Sequence, residues 1–228
     1  MYFPWLGMFE QIYLSDIFVF YDDVQFSKGS FTNRVQIKTT QGSKWLTVPL
    51  KNLKLGLNIN ETLIEYKKDW RRSQLDFLKN TYKNHKYYED VLSIATEVFK
   101  NDYENIAELS IKSMQEVLKY FNIKKDIYKS SSLKIGSSSS ERVFKIVNYF
   151  NAKVYITGHG AKRYLNHELF EKNGIEIRYI DYALLEYPQT FGEFTPYVSI
   201  LDLIANEGEN GIQYFKSKTK NWKEFINE

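Results

Sequence analysis

Residues 17–26 of this chain read IFVFYDDVQF and join a strand pattern directly to a pair of carboxylates. The first five residues form a continuous β-branched and aromatic run, which is typical of a buried strand. Open α/β sheets bind ligands at the carboxyl ends of their strands, which is where Asp22 and Asp23 fall. Asn33 and Arg34 follow soon after, so acid, amide and guanidinium groups could converge on one site. A plain turn started by the two aspartates fits the pattern equally well, since Asp favours turns.

The second half of the chain alternates strand and helix patterns. Strands are predicted at residues 127–133, 153–157 and 175–180, with a helix starting near Ser138 and another over residues 161–172. Alternation at this spacing implies a parallel sheet with right-handed crossovers. The predicted fold class is therefore α/β, with a mostly parallel sheet flanked by helices.

Two further patterns lie before that region. Residues 31–39 and 44–50 read as the two arms of a β-hairpin, and residues 1–14 read as helical. Three apolar stripes with a helical period occupy residues 70–122, which predicts a helical insert that covers the sheet edge or the pocket. We expect residues 1–228 to form a single domain with this insert.

Composition limits the classes of function. Lys and Arg number 31 against 28 Asp and Glu, a net charge of +3, which is too mild for a typical nucleic-acid binder. The absence of Cys excludes disulfides, thiolate nucleophiles and cysteine-ligated zinc. No window reaches the roughly 18 apolar residues that indicate a membrane span. These features together predict a cytoplasmic protein with no membrane span and no nucleic-acid partner.

A glycine-containing loop lies between the predicted strand at 153–157 and the next helix. Gly158 and Gly160 would let the backbone approach a ligand, the helix start would favour an anion, and Lys162 and Arg163 add positive charge. His159 lies on this loop and is the best candidate for a general acid or base. The alternative interpretation is an exposed turn histidine, because short glycine motifs are weak signals.

Two other segments could bind a ligand or serve structure alone. Ser137–Ser140 could hold a phosphate, but the capping-box spacing of Ser138 and Glu141 already explains these residues and is the favoured interpretation. Residues 189–197 are aromatic and polar, and they could stack on a sugar or pack against the core. Gln189, the first of them, is predicted to bind substrate.

The remaining titratable groups give weaker signals. His85 and His167 stand in lysine-rich surroundings, where solvent exposure is expected. The histidines are scattered along the chain, so no metal site is predicted. Asp22, Asp23 and Asp181 could nevertheless hold Mg²⁺ through oxygen ligands.

Several blocks occur in order along the chain. They are Tyr2, Pro4, Trp5, Gly7 and Phe9, followed by residues 15–20 (SDIFVF), 22–26 (DDVQF), 45–49 (WLTVP), 155–158 (YITG), 187–189 (YPQ) and 199–203 (SILDL). Together they resemble the WbqC-like proteins of bacteria. The resemblance covers nearly the whole chain in order and implies a place in O-antigen or other surface-polysaccharide biosynthesis. After Trp70 relatives often carry a histidine where this chain has Ser73 and Gln74, so the resemblance supplies no general base there.

The resemblance and the residues together favour a transferase that modifies a nucleotide-linked amino sugar by acyl or aminoacyl transfer. Asp22 and Asp23 would hold sugar hydroxyls or the amine, and His159 would move a proton. The substrate-binding residues would be Gln25, Asn33, Arg34, Gly158, Gly160, Lys162, Arg163 and Gln189. The alternatives are a nucleotidyltransferase-like enzyme, although no His-x-Gly-His motif is present, and a non-catalytic scaffold that binds sugar nucleotides.

One pocket is expected to contain Asp22, Asp23, Asn33, Arg34 and His159. No cofactor follows from the sequence, although a nucleotide, an acyl donor or Mg²⁺ could be needed, and the oligomeric state is left open. Members of the resembled family place an apolar segment ending in Gln-Pro before the residue equivalent to Tyr2. The resemblance therefore implies that a native first strand is missing ahead of Met1.

Overall fold

The computed structural model describes residues 1–227 and divides into two compact units. The first unit contains Met1–Phe9, Asp22–Lys124 and Leu185–Phe215. The second unit contains Glu10–Tyr21, Lys125–Leu184 and the segment from residue 216 onward.

The described residues form both helices and strands in each half of the chain. The strands are β1 (Ile17–Phe20), β2 (Arg34–Thr39), β3 (Gly42–Thr47), β4 (Asp126–Lys129), β5 (Val154–Thr157), β6 (Glu176–Asp181) and β7 (Lys218–Asn221). The α-helices are α1 (Leu6–Leu14), α2 (Trp70–Tyr82), α3 (Tyr88–Phe99), α4 (Ile106–Tyr120), α5 (Ser130–Leu133), α6 (Ser139–Tyr149), α7 (His167–Lys172), α8 (Ile200–Glu207) and α9 (Trp222–Ile226). Short 3₁₀ helices occupy Ile59–Glu61, His159–Arg163 and Gly208–Tyr214.

The first unit combines the predicted hairpin with the predicted helices. Strands β2 and β3 pair antiparallel, with Arg34 opposite Thr47 and Thr39 opposite Gly42. The three apolar stripes became α2, α3 and α4, and α3 contacts both of the others as well as α8. The stripes are buried because each helix supplies its apolar face to a neighbouring helix.

The second unit contains small sheets. Strand β1 pairs in parallel with β4, and β5 pairs in parallel with β6, which β7 extends in the antiparallel direction. The expectation of a mostly parallel sheet is therefore met only in part: the unit is mixed α/β, and its hydrogen-bonded sheets have two and three strands. Strand β7 has no apolar pattern in its sequence Lys-Thr-Lys-Asn, so only its pairing with β6 identifies it.

Three local predictions in this region are wrong in detail. The strand expected at 127–133 ends at Lys129, and the following residues form α5. The helix expected over 161–172 is divided into a 3₁₀ turn and α7, because the Asn166 side chain accepts a hydrogen bond from the N–H of Leu169 (3.2 Å) and caps a new helix there. Helix α6 does begin after Ser138, but the hydroxyl of Ser138 makes no capping hydrogen bond.

Glu10 of α1 anchors the segment that precedes β7. Its side chain is 3% exposed, and one carboxylate oxygen accepts the backbone N–H groups of Lys216 (2.9 Å) and Ser217 (2.7 Å). We expect Glu10→Ala to lower the free energy of unfolding by about 3 kcal/mol, because one buried and one partly buried donor lose a charged acceptor. Glu10→Gln keeps an oxygen in place and should cost less than about half as much. Urea denaturation of both variants measures the difference, and equal losses would contradict the anchoring role.

Candidate functional site

The predicted carboxylate pair lies on a segment of the first unit that is held by backbone hydrogen bonds. The N–H of Asn60 donates to the carbonyl of Asp22 (2.9 Å), and Gln25 forms a β-bridge with Asn58. Asp22 is buried and Asp23 is half-buried. The two carboxylates are therefore presented by an ordered segment.

Asn33 and Arg34 lie where the hairpin begins. The Asn33 side chain donates to the carbonyl of Val48 (2.9 Å), and its own carbonyl accepts the N–H of Val48 (2.8 Å), so it links the ends of the two strands. The Arg34 guanidinium lies 4.1 Å above the ring of Trp45 and donates through Nη2 to the carbonyl of Gly29. Its buried Nε has no hydrogen-bond partner among the described residues, so one N–H group of the guanidinium is unpaired.

Gln189 belongs to a polar network inside the first unit. Its side-chain oxygen accepts from the Lys38 ammonium (2.6 Å) and from the N–H of Thr195 (3.0 Å). Its side-chain nitrogen donates to the Tyr187 hydroxyl (2.9 Å) and to the carbonyl of Thr195 (2.9 Å). The Tyr187 hydroxyl in turn donates to the Asp202 carboxylate (2.9 Å). The amide of Gln189 is thus occupied by the protein itself, and its role in substrate binding stays a prediction.

Two charged members of this network, Lys38 and Asp202, were not predicted from the sequence to be site residues. Lys38 is 5% exposed and Asp202 is 1% exposed. Burial raises the pKa of Asp202 from 3.8 to about 6, although Tyr187, Lys38 and Gln189 act in the opposite direction. The available signal was the single carboxylate within the apolar run of residues 200–205, because a charge on a buried helix face needs partners.

In the second unit His159 lies in the 3₁₀ turn that follows β5. Its Nε2 donates to the carbonyl of Ile180 (2.7 Å) at the end of β6, and its ring packs against those of Tyr182 (5.0 Å) and Phe225 (4.7 Å). Because a carbonyl can only accept, the neutral ring carries its proton on Nε2, and Nδ1 has a lone pair. His159 is exposed, but its ring is fixed by these contacts and can take up a proton at Nδ1.

The two glycines beside His159 differ in how much room surrounds them, and the two cations of the turn are exposed. A Cβ atom at Gly158 would lie 3.3 Å from the Tyr182 hydroxyl, whereas one at Gly160 would meet nothing within 4 Å. Lys162 and Arg163 are exposed at the end of the same turn. This turn is a 3₁₀ helix of five residues, so the expected start of an α-helix is absent at this point and only the two side-chain cations remain to attract an anion.

Aromatic side chains near the end of β1 come close to β5. Burial raises the pKa of Tyr155 in β5, and the nearby hydroxyls of Tyr164 and Tyr21 raise it further. The guanidinium of Arg142, itself 8% exposed, lies 5.1 Å from the ring of Tyr21. The second unit therefore brings together groups from the end of β1 and from β5, although these strands belong to different sheets.

The predicted site residues divide between the two units. Asp22, Asp23, Gln25, Asn33, Arg34 and Gln189 belong to the first unit, and Gly158, His159, Gly160, Lys162 and Arg163 belong to the second. The second group falls within residues 158–163, in and directly before one 3₁₀ turn. The expectation that both groups line one pocket stays a prediction.

The exposure expected for the other two histidines is wrong. His85 is 6% exposed and packs edge-on against Phe191 (5.3 Å). His167 is half-buried, hydrogen-bonded to the Tyr179 hydroxyl (2.8 Å) and stacked on Trp222 (4.6 Å). Burial lowers the pKa of both rings. The lysine-rich flanks gave no indication of these aromatic partners, which come from distant parts of the chain.

No three His, Asp or Glu side chains within residues 1–227 are grouped so that they could hold a metal ion. Asp181, one of the predicted Mg²⁺ ligands, pairs with Lys220 at 3.3 Å. In the same range, every helix is too short or too polar to cross a bilayer.

Comparison with known proteins places this arrangement in a family. A protein of Mycobacterium tuberculosis, described as uncharacterized, is 29% identical to the chain over 218 residues, which cover 94% of each sequence. No solved structure matches the chain. The model of the WbqC-like protein family matches residues 1–214, and the chain therefore belongs to that family.

Proposed function

We propose that this protein is a transferase that places an acyl or aminoacyl group on a nucleotide-linked amino sugar during surface-polysaccharide synthesis. The single observation that carries this proposal is the fixed ring of His159, whose Nε2 donates to the carbonyl of Ile180 at 2.7 Å and whose Nδ1 is left as a base. Such a base is what amide-forming transfer requires, because the attacking amine must lose a proton.

The proposed step forms one bond and breaks another. The sugar amine attacks the carbonyl carbon of the acyl donor, a C–N bond forms, and the bond from that carbon to the leaving group breaks. His159 Nδ1 takes the proton from the amine and returns it to the leaving group. The rings of Tyr182 and Phe225 hold the imidazole in position throughout, so little reorganisation is needed.

The nucleotide diphosphate is assigned to the turn that contains His159. Lys162 and Arg163 supply two positive charges within four residues of the imidazole, and Gly158 and Gly160 keep the backbone accessible. The hydroxyl- and amine-binding role of Asp22 and Asp23 stays a prediction for the first unit.

A thermal-shift screen with dTDP-, UDP- and GDP-sugars, ATP and acyl-CoA tests the proposal. A sugar nucleotide at a hundred times its dissociation constant should stabilise the protein by about 2.7 kcal/mol. The double change Lys162→Ala and Arg163→Ala should remove most of that shift, whereas Lys172→Ala on the exposed face of α7 is the matched control and should preserve it.

Each other outcome of the screen contradicts the proposal. A shift with ATP and with no sugar nucleotide would favour nucleotidyl transfer. A shift with a sugar nucleotide but no turnover with any acyl or aminoacyl donor would favour the non-catalytic scaffold.

A further inference from the structure

The first unit contains buried polar groups that the protein leaves without hydrogen bonds. They are the Tyr82 hydroxyl and both ring nitrogens of His85, and among the described residues none of the three has a partner. Tyr82 is 0% exposed and His85 is 6% exposed. Native proteins satisfy the great majority of buried polar atoms, so three such atoms on adjoining rings indicate a place for a polar ligand.

The two rings adjoin each other and the polar network around Asp202. The centroids of the Tyr82 and His85 rings are 5.1 Å apart, in an edge-to-face arrangement. Burial raises the pKa of Tyr82, and the Asp202 carboxylate and Tyr187 raise it further. The Tyr82 hydroxyl bonds neither of them. A ligand hydroxyl placed beside it would accept from Tyr82.

The backbone near His85 does not satisfy its ring. The carbonyl of Tyr82 already accepts the backbone N–H of His85 at 2.7 Å. Burial lowers the pKa of the imidazole, and this carbonyl raises it by a smaller amount. The imidazole is therefore neutral near pH 7 and presents one donor and one acceptor.

A loop lies over these groups and is fastened mainly by side chains. The Gln189 amide exchanges two hydrogen bonds with the backbone of Thr195 and closes the base of the loop (3.0 and 2.9 Å). The Lys38 ammonium donates to the carbonyl of Glu193 (2.5 Å). Phe191, within the loop, meets the ring of His85 at 5.3 Å. The Thr190 hydroxyl also donates to the Asn206 side chain (2.8 Å), and Phe194 packs against Tyr187 (5.3 Å). Release of these side-chain contacts would uncover His85 without breaking a strand or a helix.

The charges of this network restrict the chemistry of a ligand bound beside it. Lys38 and Asp202 are joined through Gln189 and Tyr187, so one cation and one anion balance each other within the network. A charged ligand would have no free counterion there. Neutral groups that both donate and accept match the imidazole and the phenol, and an apolar ring face matches Phe191.

We propose that residues 189–195 cover a binding site for a neutral, hydroxylated ring such as a monosaccharide unit. Tyr82 and His85 bind its hydroxyls, Phe191 covers one of its faces, and the loop opens to admit it. This site belongs to the first unit and depends on no part of the transferase proposal, which concerns residues 158–163 of the second unit.

Imidazole NMR tests the site directly. Protein labelled with ¹⁵N-histidine gives signals from His85, His159 and His167, and single variants assign them. Methyl glycosides of glucose, galactose, rhamnose and N-acetylglucosamine serve as probes, each added to about 50 mM, which detects dissociation constants in the millimolar range. At least one glycoside should shift the His85 nitrogens saturably and leave the His167 signals in place.

Variants separate ligand binding from structural effects. Phe191→Ala should weaken the glycoside about tenfold or more, and Phe191→Tyr, which keeps the ring, should restore binding. His167→Gln is the matched control and should leave the titration unchanged. The site would be ruled out by His85 signals that stay fixed for every glycoside, as expected for an ordered water only. A shift that Phe191→Ala leaves undiminished would also overturn the proposal.

Discussion

Replacement of His159 by Gln is expected to lower turnover by roughly 10²–10⁴-fold, with little change in melting temperature. The Gln side chain can still donate an N–H to the carbonyl of Ile180, which His159 now bonds at 2.7 Å, but it has no nitrogen that takes up a proton. The ring is exposed, so its loss creates no large cavity. The effect should therefore fall on kcat, with substrate affinity nearly preserved.

The assay uses the sugar nucleotide selected by the ligand screen, together with its acyl donor. His167→Gln is the matched control, because that imidazole lies in the same unit and bonds the Tyr179 hydroxyl rather than the turn. A variant that retains more than about a tenth of wild-type turnover would remove His159 from the mechanism.

Replacement of Asp202 by Asn is expected to stabilise the protein at neutral and alkaline pH. Burial raises the pKa of Asp202 from 3.8 in the unfolded chain to about 6 in the folded protein. The stability linked to the protonated carboxyl is fully present below 3.8 and is lost as the pH rises through about 6. The loss amounts to about 3 kcal/mol by pH 8.

Asn has no charge to bury, and its oxygen can still accept from the Tyr187 hydroxyl, which lies 2.9 Å from the carboxylate. Urea denaturation of both proteins between about pH 4 and pH 8 measures the difference, which should be near zero at the acid end and grow toward 3 kcal/mol. Burial of His85 and His167 acts in the opposite direction, since a lowered pKa costs stability as the pH falls below 6.5. This effect is common to both proteins and cancels in the comparison.

Asp76→Asn on the exposed face of α2 is the matched control and should follow the wild-type pH profile. A difference between Asp202→Asn and wild type that stays constant across the pH range would show that the Asp202 carboxyl does not titrate on folding in this way. Destabilisation of Asp202→Asn at pH 8 would also contradict the prediction. It would mean that the hydrogen bonds and charge interactions of the ionised carboxylate outweigh the free-energy cost of burying it.

The local elements followed from short-range patterns. The β-branched run at 17–21, the hairpin arms and the three helical stripes each depend on residues a few positions apart, and all were located within a few residues of their true bounds. The loop that contains His159 was also found this way, because glycines between a strand and a helix are a local signal. Family membership followed from the order of such blocks along nearly the whole chain.

The sequence pattern failed where one residue's environment depends on distant ones. Lys38 and Gln189 are 151 positions apart, and nothing near either residue indicates that their side chains meet at 2.6 Å. His85 looked exposed because its neighbours are lysines, yet Tyr82 and Phe191 enclose its ring. Local periodicity reflects backbone geometry, so it can be recognised from residues close together in the sequence. The partner of a buried polar group depends on how distant segments pack together, which only the folded structure shows.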